Sequence, residues 1–164
     1  CKAANPDCLN CIFISKCVAF KNKVVTAFPI KEKKQKIRKR FFNYLVLADK
    51  KNNILINKRA RKDIWQGLCE FTLIESEKNI SLQKLLERKD VKIFVKNNFQ
   101  IIHSSKTYKH ILSHQHIFAK FYIIKVNYLW KKNLFFTQPE NIHAPAYPRL
   151  IEKFLKDCNV KDLL

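Results

Sequence analysis

From Phe41 onward, short apolar runs alternate with polar turns, a pattern typical of β-strands joined by loops. The runs that predict strands are FFNYLVLA (41–48), ILINKR (54–59), IWQGLCEFTLIE (64–75), FQIIHS (99–104) and HIFAKFYIIKV (116–126). The polar DKKNN between the first two predicts a hairpin, and Gly67 predicts a bulge or a close backbone approach within the third.

Two stretches have helical periodicity instead. In SLQKLLERK (81–89), Ser81 is a suitable N-cap and the leucines that follow share one face. Near the end of the chain Pro148 predicts a helix start, and apolar residues then recur at helical spacing: Leu150, Ile151, Phe154 and Leu155. Strands, one helix, more strands and a final helix predict an α+β fold over residues 41–164.

Residues 18–40 break this pattern because they are dense in basic side chains. Glu32 is their acid, and their bases are Lys21, Lys23, Lys31, Lys33, Lys34, Lys36, Arg38, Lys39 and Arg40. Like charges repel each other, which favours an extended connector over a core element. Such a connector either lies along phosphates or is a solvated tether, and the sequence leaves both interpretations open.

The overall charge points to a polyanionic partner. The chain has 33 Lys+Arg against 13 Asp+Glu, a formal net charge of +20, and nucleic acid is the commonest partner of such a field. A part of this charge only solvates the surface. No apolar stretch approaches the roughly 18 residues of a membrane span, and a lysine-rich chain with no secretory leader is typical of the cytoplasm. One glycine in the chain is too few for a P-loop or a dinucleotide fingerprint.

Four cysteines near the N-terminus have the spacing Cys1-x6-Cys8-x2-Cys11-x5-Cys17. Closely spaced thiolates bind iron–sulfur clusters or zinc. Zinc sites usually combine two separated CxxC pairs, whereas this loop has one, and disulfides are rare in the reducing cytosol. The favoured interpretation is therefore an iron–sulfur cluster, with zinc and disulfides as the alternatives.

This spacing resembles the cluster loop of the helix-hairpin-helix DNA glycosylases, the endonuclease III and MutY families, which bind a 4Fe–4S cluster. The rest of the chain resembles the Nudix-like C-terminal domain of MutY in five successive motifs: Arg40-Phe41-Phe42-Asn43-Tyr44, Lys58-Arg59, Asp63-Ile64-Trp65-Gln66-Gly67-Leu68 with Glu70-Phe71, Lys109-His110-Ile111-Leu112-Ser113-His114, and Ala146-Tyr147-Pro148-Arg149-Leu150. Endonuclease III normally ends soon after its cluster loop, so this order selects MutY.

Resemblance to MutY implies three parts: a cluster loop at 1–17, a basic interdomain connector at 18–40, and a Nudix-like domain at 41–164 with a mixed sheet and two helices. In that family the catalytic domain removes adenine mispaired with 8-oxoguanine, and the C-terminal domain recognises the oxidised guanine. The chain begins on a cluster ligand and has no methionine, so we expect the catalytic residues to precede Cys1. No catalytic residue is assigned here, and the chain alone is expected to be inactive.

The same resemblance implies ligands and partners. Cys1, Cys8, Cys11 and Cys17 would bind the 4Fe–4S cluster. The family's Phe-Ser-His reading loop matches Leu112, Ser113 and His114, which implies that Ser113 reads the lesion edge and that His114 contacts an adjacent base or phosphate. Leu112 departs from the usual aromatic, so it can wedge at a base step but cannot stack. The implied partner is double-stranded DNA with an A·8-oxoguanine or A·G mispair, bound by a bacterial, nucleoid-associated monomer.

Several alternatives compete with these assignments. A stand-alone basic Nudix-like module would bind DNA or a protein without catalysis. A Nudix hydrolase would need a glutamate-rich helix to hold magnesium, and SLQKLLERK has one acid, so this activity is not expected. The histidines His103, His110, His114 and His116 are surface groups or, less simply, a metal site.

Other residues have quieter interpretations. Trp65 and Phe71 are expected to pack in the core or a loop, and Cys69 and Cys158 to be semi-buried thiols. Lys58 and Arg59 are expected either to contact phosphate or to be solvated.

Overall fold

The computed structural model describes residues 5–28, 30, 37–95, 99–127 and 135–164. The chain divides into two compact units, residues 1–36 and residues 37–164. Within the described residues, no helix is long and apolar enough to cross a membrane.

Short helical segments occupy much of the described part of the first unit. They are a 3-10 turn at Ile14–Lys16, helix α1 at Val18–Lys21 and a 3-10 turn at Val25–Ala27. The prediction of an extended connector beginning at residue 18 is therefore wrong for this stretch. The physical reason is that VAFKNKVVTAF (18–28) is mainly apolar, while the dense basic run begins only at Lys31. Residues 31–36 of that run lie outside the described residues.

A mixed sheet forms the second unit. Its strands in the described residues are β1 (Arg38–Ala48), β2 (Ile54–Lys58), β3 (Cys69–Glu70), β4 (Thr72–Ser76), β5 (Phe99–Ser104), β6 (Tyr108–Ile111), β7 (Gln115–Val126) and β8 (Phe135–Thr137). The two long strands, β1 and β7, lie side by side and parallel, whereas the other described pairs are antiparallel. Both long strands are largely buried, which explains their nearly continuous apolar sequence.

The outer edges of the two central strands are each shared by two partners. On β1, β4 pairs with Phe41–Leu45, and β2 joins at Ala48 through the hairpin. On β7, β6 pairs along the first residues and β5 along the last. Strands β3 and β8 extend the sheet from β2. The start of β1, the start of β7 and the end of β6 consequently meet at one end of the sheet.

Helices pack on both faces of this sheet. They are α2 (Leu82–Leu86), α3 (Lys89–Lys92), α4 (Arg149–Asp157) and α5 (Val160–Leu163). Phe154 of α4 stacks on Phe121 of β7 with ring centroids 4.0 Å apart, whereas Leu85 of α2 packs in a separate cluster with Leu45 and Leu47. Alternate residues of β1 point to opposite faces, so α4 covers one face and the α2–α3 pair covers the other.

Most predicted elements are present. The predicted strands at 41–48, 54–59, 99–104 and 116–126 correspond to β1, β2, β5 and β7, and the predicted helices correspond to α2 and α4. Ser81 caps α2 by accepting a hydrogen bond from the Lys84 amide at 3.4 Å. Buried Phe71 and half-buried Trp65 pack as expected. The sequence did not predict β3 as a separate strand, β6, β8, or the one-turn helices α3 and α5.

Two local predictions are corrected. Residues before Cys69 form a turn rather than the first half of a strand. Gly67 in that turn has φ +84°, and a Cβ there would have no heavy atom within 4 Å, so it serves the left-handed turn and not a close approach or a bulge. Strand β1 begins at Arg38, before the expected start at Phe41, because Arg40 is buried among acids.

Candidate nucleic-acid interface

Leu112, Ser113 and His114 form the turn between β6 and β7. The Leu112 amide donates to the Gln115 carbonyl at 2.8 Å, which closes the turn. Leu112 is half-buried and packs against the core, while Ser113 and His114 are exposed. The Ser113 hydroxyl and His114 Nδ1 lie 3.4 Å apart. The turn therefore presents a hydroxyl and an imidazole to solvent on a short, closed scaffold.

Strand β1 supports this turn from the side. The Arg38 amide donates to the His114 carbonyl at 3.2 Å. In the parallel register Arg38 lies opposite Gln115 and Arg40 opposite Ile117. The backbone of His114 is thus held by the sheet, although its ring is free to contact a ligand.

Arg40 lies directly beneath the turn and joins it to two other segments. Its guanidinium makes a two-point contact with Glu75 of β4, at 2.7 and 2.8 Å, and another with Asp63 of the β2–β3 loop, at 3.0 and 2.7 Å. It also donates to the side-chain carbonyl of Gln115 at 3.3 Å. The Arg40 side chain is only 5% exposed. Two-point contacts of this kind fix both partners in position, so Arg40 ties the base of the turn to β4 and to the loop.

Electrostatics agree with this arrangement. Hydrogen bonds from Arg40 hold the pKa of Asp63 and the pKa of Glu75 below their ordinary values. Charge-assisted hydrogen bonds raise the pKa of Arg40, with Glu75 as the largest contributor. All three groups are therefore ionised near neutral pH.

Arg59 is buried at 3% exposure, so neither phosphate contact nor solvation describes it. It donates to Glu70 at 2.7 Å, to Asp63 at 2.8 Å and to the Ile64 carbonyl at 2.9 Å. Burial raises the pKa of Glu70 even though Arg59 opposes that shift. The arginine holds the loop closed. Lys58, by contrast, is exposed.

The loop closed by Arg59 also contacts the hairpin that carries the turn. The Arg59 amide and carbonyl bond to Leu68 and Gly67 at 2.9 and 2.8 Å, which closes the neck of the loop. Trp65, at φ 64°, is a bulky residue in the left-handed region, a conformation that needs support from its surroundings. Its ring packs edge-on against Phe42 at 6.2 Å and against His110 of β6 at 5.4 Å.

Together Arg40, Asp63, Glu75 and Gln115 form a support cluster beneath the turn, which the sequence did not predict. One signal was available: Arg40 directly precedes the apolar strand FFNYLVLA, where a charge needs partners once it is buried. Arg40 was instead assigned to the basic connector, so its position at the start of a buried strand was not used.

Among the predicted cluster ligands, Cys8, Cys11 and Cys17 are described and Cys1 lies outside the described residues. These three are free, half-buried thiols that line one cavity of about 340 Å³. The Cys11 amide donates to the Cys8 carbonyl at 3.2 Å, so the CxxC pair sits on one turn. These thiols have the donor type of an iron–sulfur site and line one cavity, but the three of them are not gathered at metal-binding distance from one another.

No three potential ligands are gathered at metal-binding distance anywhere in the described part of the chain. This statement covers Cys8, Cys11 and Cys17 as well as His103, His110, His114 and His116. The alternative of a histidine metal site therefore has no support from the geometry. Glu70 and Glu75, two glutamates that follow Gly67 in the sequence, accept hydrogen bonds from Arg59 and Arg40 respectively. Cys69 and Cys158 are half-buried free thiols, as predicted.

Comparison with known proteins connects these features to a family. Residues 43–157 match the family model described as NUDIX domain. The chain is 28% identical over 167 residues to the adenine DNA glycosylase of Buchnera aphidicola subsp. Schizaphis graminum (strain Sg), a match that covers 95% of this chain and 44% of the relative. The chain thus spans less than half the length of that relative.

Solved structures agree with the fold. The MutT protein from Methanosarcina mazei Go1 superposes with a TM-score of 0.56 at 11% identity, over 77% of this chain and 97% of that one. The C-terminal domain of mouse MUTYH, solved in complex with human PCNA, superposes with a TM-score of 0.55 at 13% identity, over 75% of this chain and 88% of that one. Because the family model covers more than half of the chain, the chain belongs to the NUDIX domain family.

Proposed function

We propose that this chain is the lesion-recognition part of an adenine DNA glycosylase, and that it binds 8-oxoguanine opposite adenine in double-stranded DNA. The observation that carries the proposal is the similarity to an adenine DNA glycosylase over 95% of the chain, combined with an exposed Ser113 at a turn held in place from below. The net charge of +20 supports a polyanionic partner.

Ser113 has the chemistry that the lesion requires. Guanine presents an acceptor at N7 in the major groove. In 8-oxoguanine N7 carries a proton and C8 carries a carbonyl oxygen, so a donor replaces the acceptor and a new acceptor lies beside it. A hydroxyl both accepts and donates, and Ser113 therefore suits both changes. His114 is proposed to contact an adjacent base or phosphate.

Leu112 plays a different part in this proposal. It is half-buried against the core, and that packing fixes the backbone of the turn. An apolar residue here can wedge at a base step, but it offers no aromatic face for stacking. We propose that the leucine contributes shape and not stacking to the complex.

Cys1, Cys8, Cys11 and Cys17 are proposed to bind a 4Fe–4S cluster. Support comes from the four-thiol donor set and from the cavity that Cys8, Cys11 and Cys17 share. When bound, the cluster would stabilise the loop that carries these cysteines. Removal of adenine is assigned to the part of the glycosylase that this chain does not match, so the chain alone should release no adenine from an A·8-oxoguanine duplex.

The test is Ser113→Ala in the intact glycosylase, titrated against two duplexes that differ only in 8-oxoguanine versus guanine opposite adenine. We expect the preference for the lesion to fall by about 1–2 kcal/mol, the cost of a hydrogen bond left unmade, with binding to the undamaged duplex unchanged. His114→Ala should act in the same direction. Equal losses on both duplexes would mean that Ser113 is a backbone contact or a structural residue, and its assignment to the lesion would be abandoned.

A further inference from the structure

The face of the sheet that α2 and α3 cover at Leu45 and Leu47 continues toward the turn as an open surface. Alternation along β1 puts Lys39 and Phe41 on this same face. Phe118 of β7 lies opposite Phe41, and Lys109 of β6 lies opposite Phe118. A row of side chains from three strands therefore lies next to the turn 112–114, on the face opposite α4.

We call this surface the lysine face and define it by five residues: Lys39, Phe41, Lys109, Phe118 and Lys120. The two phenylalanine rings stack with centroids 5.3 Å apart and an interplanar angle of 18°. The ammonium of Lys109 lies 5.7 Å from the centroid of Phe118, within the range of a cation–π contact. Lys120 donates to the side chain of Asn79 at 3.2 Å. The aromatic pair thus forms a firm base from which the lysines project.

The lysines of this face are accessible to a ligand and are not neutralised by a neighbouring carboxylate in the described residues. Lys39 and Lys109 are exposed and Lys120 is half-exposed. None of the three takes part in an ion pair within the described residues. Lys106, at the start of the same hairpin, is different because it pairs with Asp157 at 3.1 Å. The nearby carboxylate of Glu75 is bound by Arg40, whose partners lie on the other face.

We propose that the lysine face binds backbone phosphates of the lesion-bearing strand beside the oxidised base. This inference rests on the function proposed above, because it requires that the turn contact DNA. Lys39 and Lys109 flank β7 from its two neighbouring strands and are offset by two residues along it. Their backbones are therefore about 12 Å apart at a strand spacing near 4.8 Å and a rise near 3.3 Å per residue. Lys39 lies opposite His116, two residues from the tip of the turn. A strand whose base meets Ser113 would pass over these ammonium groups.

Charge favours DNA over a protein as the occupant. Lysine is depleted in the cores of protein–protein interfaces, whereas lysines around aromatic rings on an open sheet are typical of nucleic-acid surfaces. Each phosphate neutralised releases counterions, and the slope of log affinity against log salt changes by about 0.9 per contact. The lysine face would thus add affinity without sequence or lesion preference, while the turn would add preference.

The experiment compares two triple variants of the intact glycosylase that lose the same charge. One is Lys39→Gln, Lys109→Gln and Lys120→Gln. The control is Lys153→Gln, Lys156→Gln and Lys161→Gln, whose exposed side chains lie on α4 and α5. The lysine-face variant should bind lesion and undamaged duplexes about tenfold more weakly by an equal factor, with a salt slope shallower by about 2–3. The control should change the slope by less than about 1.

Further variants separate charge from structure. Replacing the same three lysines with arginine should restore the affinity and the slope, because arginine keeps the charge. Equal weakening in the two triple variants, or a loss confined to the lesion duplex, would overturn the lysine face. A wild-type protein that binds both duplexes equally would refute lesion reading instead, and the slopes on undamaged DNA would still decide whether the lysine face contacts phosphate.

Discussion

Replacing Arg40 is the most direct test of the support cluster. The guanidinium makes five hydrogen bonds to Glu75, Asp63 and Gln115. Arg40→Ala removes them all and leaves two carboxylates without their principal partner. Because a carboxylate taken out of water needs a compensating charge, we expect a large loss in the free energy of unfolding.

The magnitude follows from the burial of each partner. Breaking a buried ion pair by removing one member costs about 3–5 kcal/mol. Here the Asp63 and Glu75 side chains keep 27% and 23% of their exposure, and Asp63 also keeps its bonds from Arg59 and the Ile64 amide. Water and these remaining donors offset part of the cost, so we expect about 3 kcal/mol. Arg40→Lys retains the charge but not the two-point contacts, and should lose about half as much.

Urea unfolding followed by circular dichroism measures these differences. The matched control is Arg149→Ala, because the Arg149 side chain is 83% exposed and lies 3.8 Å from Glu152. Exposed pairs contribute about 0–1 kcal/mol, so this variant should remain close to wild type. A loss below about 1 kcal/mol for Arg40→Ala would refute the assignment of a stabilising role to the buried cluster.

Acid titration provides an independent check. The folded-state pKa values of Asp63 and Glu75 are lowered, chiefly by hydrogen bonds from Arg40. Their contribution is therefore complete above the unfolded carboxyl pKa, near 4, and is lost as the pH falls through the lowered folded values. Wild-type stability should fall steeply below about pH 4, and Arg40→Ala should fall less steeply. Glu70, whose pKa is raised by burial, acts in the opposite sense in both proteins. Identical slopes would contradict the linkage.

Two further predictions concern the cysteines and the core. Replacing Cys8 or Cys11 with serine in the intact glycosylase should lower its iron content and weaken DNA binding. The control Cys158→Ser, at a free thiol in the second unit, should leave both unchanged. Unchanged iron content in the Cys8 and Cys11 variants would remove these two residues from the ligand set. Phe154→Ala should cost about 3–5 kcal/mol in urea unfolding, because this fully buried ring stacks on Phe121 and meets Phe71 and Tyr108 edge-on, whereas exposed Lys153→Ala on the same helix should cost less than about 0.5 kcal/mol.

Apolar periodicity was sufficient for the elements that have strong local signals. FFNYLVLA and HIFAKFYIIKV are long apolar runs and became β1 and β7, and the stripe of Phe154 and its neighbours became α4. The parallel pairing of β1 with β7 could not be predicted from the sequence. Parallel strands pair across a long separation in the chain, and neither apolar run indicates which other run it pairs with. Strand β6 was missed because YKHI has too few apolar residues to stand out from the surrounding loops.

The candidate site was likewise predicted only in part. The resemblance to MutY drew attention to Ser113, but no local pattern indicates that its turn rests on Arg40. Glu75 and Gln115 come together with Arg40 only when β4 and β7 take their places on either side of β1. Charges far apart in sequence pair through tertiary structure, so a window of neighbouring residues does not reveal them.

The support cluster and the exposed turn are best understood together. A buried ion pair is often no more stabilising than apolar residues of the same volume, so stability alone does not account for Arg40. Apolar side chains would fill the space but would not bond the side-chain carbonyl of Gln115, which accepts from Arg40. The backbone carbonyl of the same residue accepts the Leu112 amide that closes the turn. The Ser113 hydroxyl, which we propose distinguishes two atoms of one base, would need a backbone that keeps its position. We therefore regard the cluster beneath the turn as the part of the fold that gives Ser113 a fixed position.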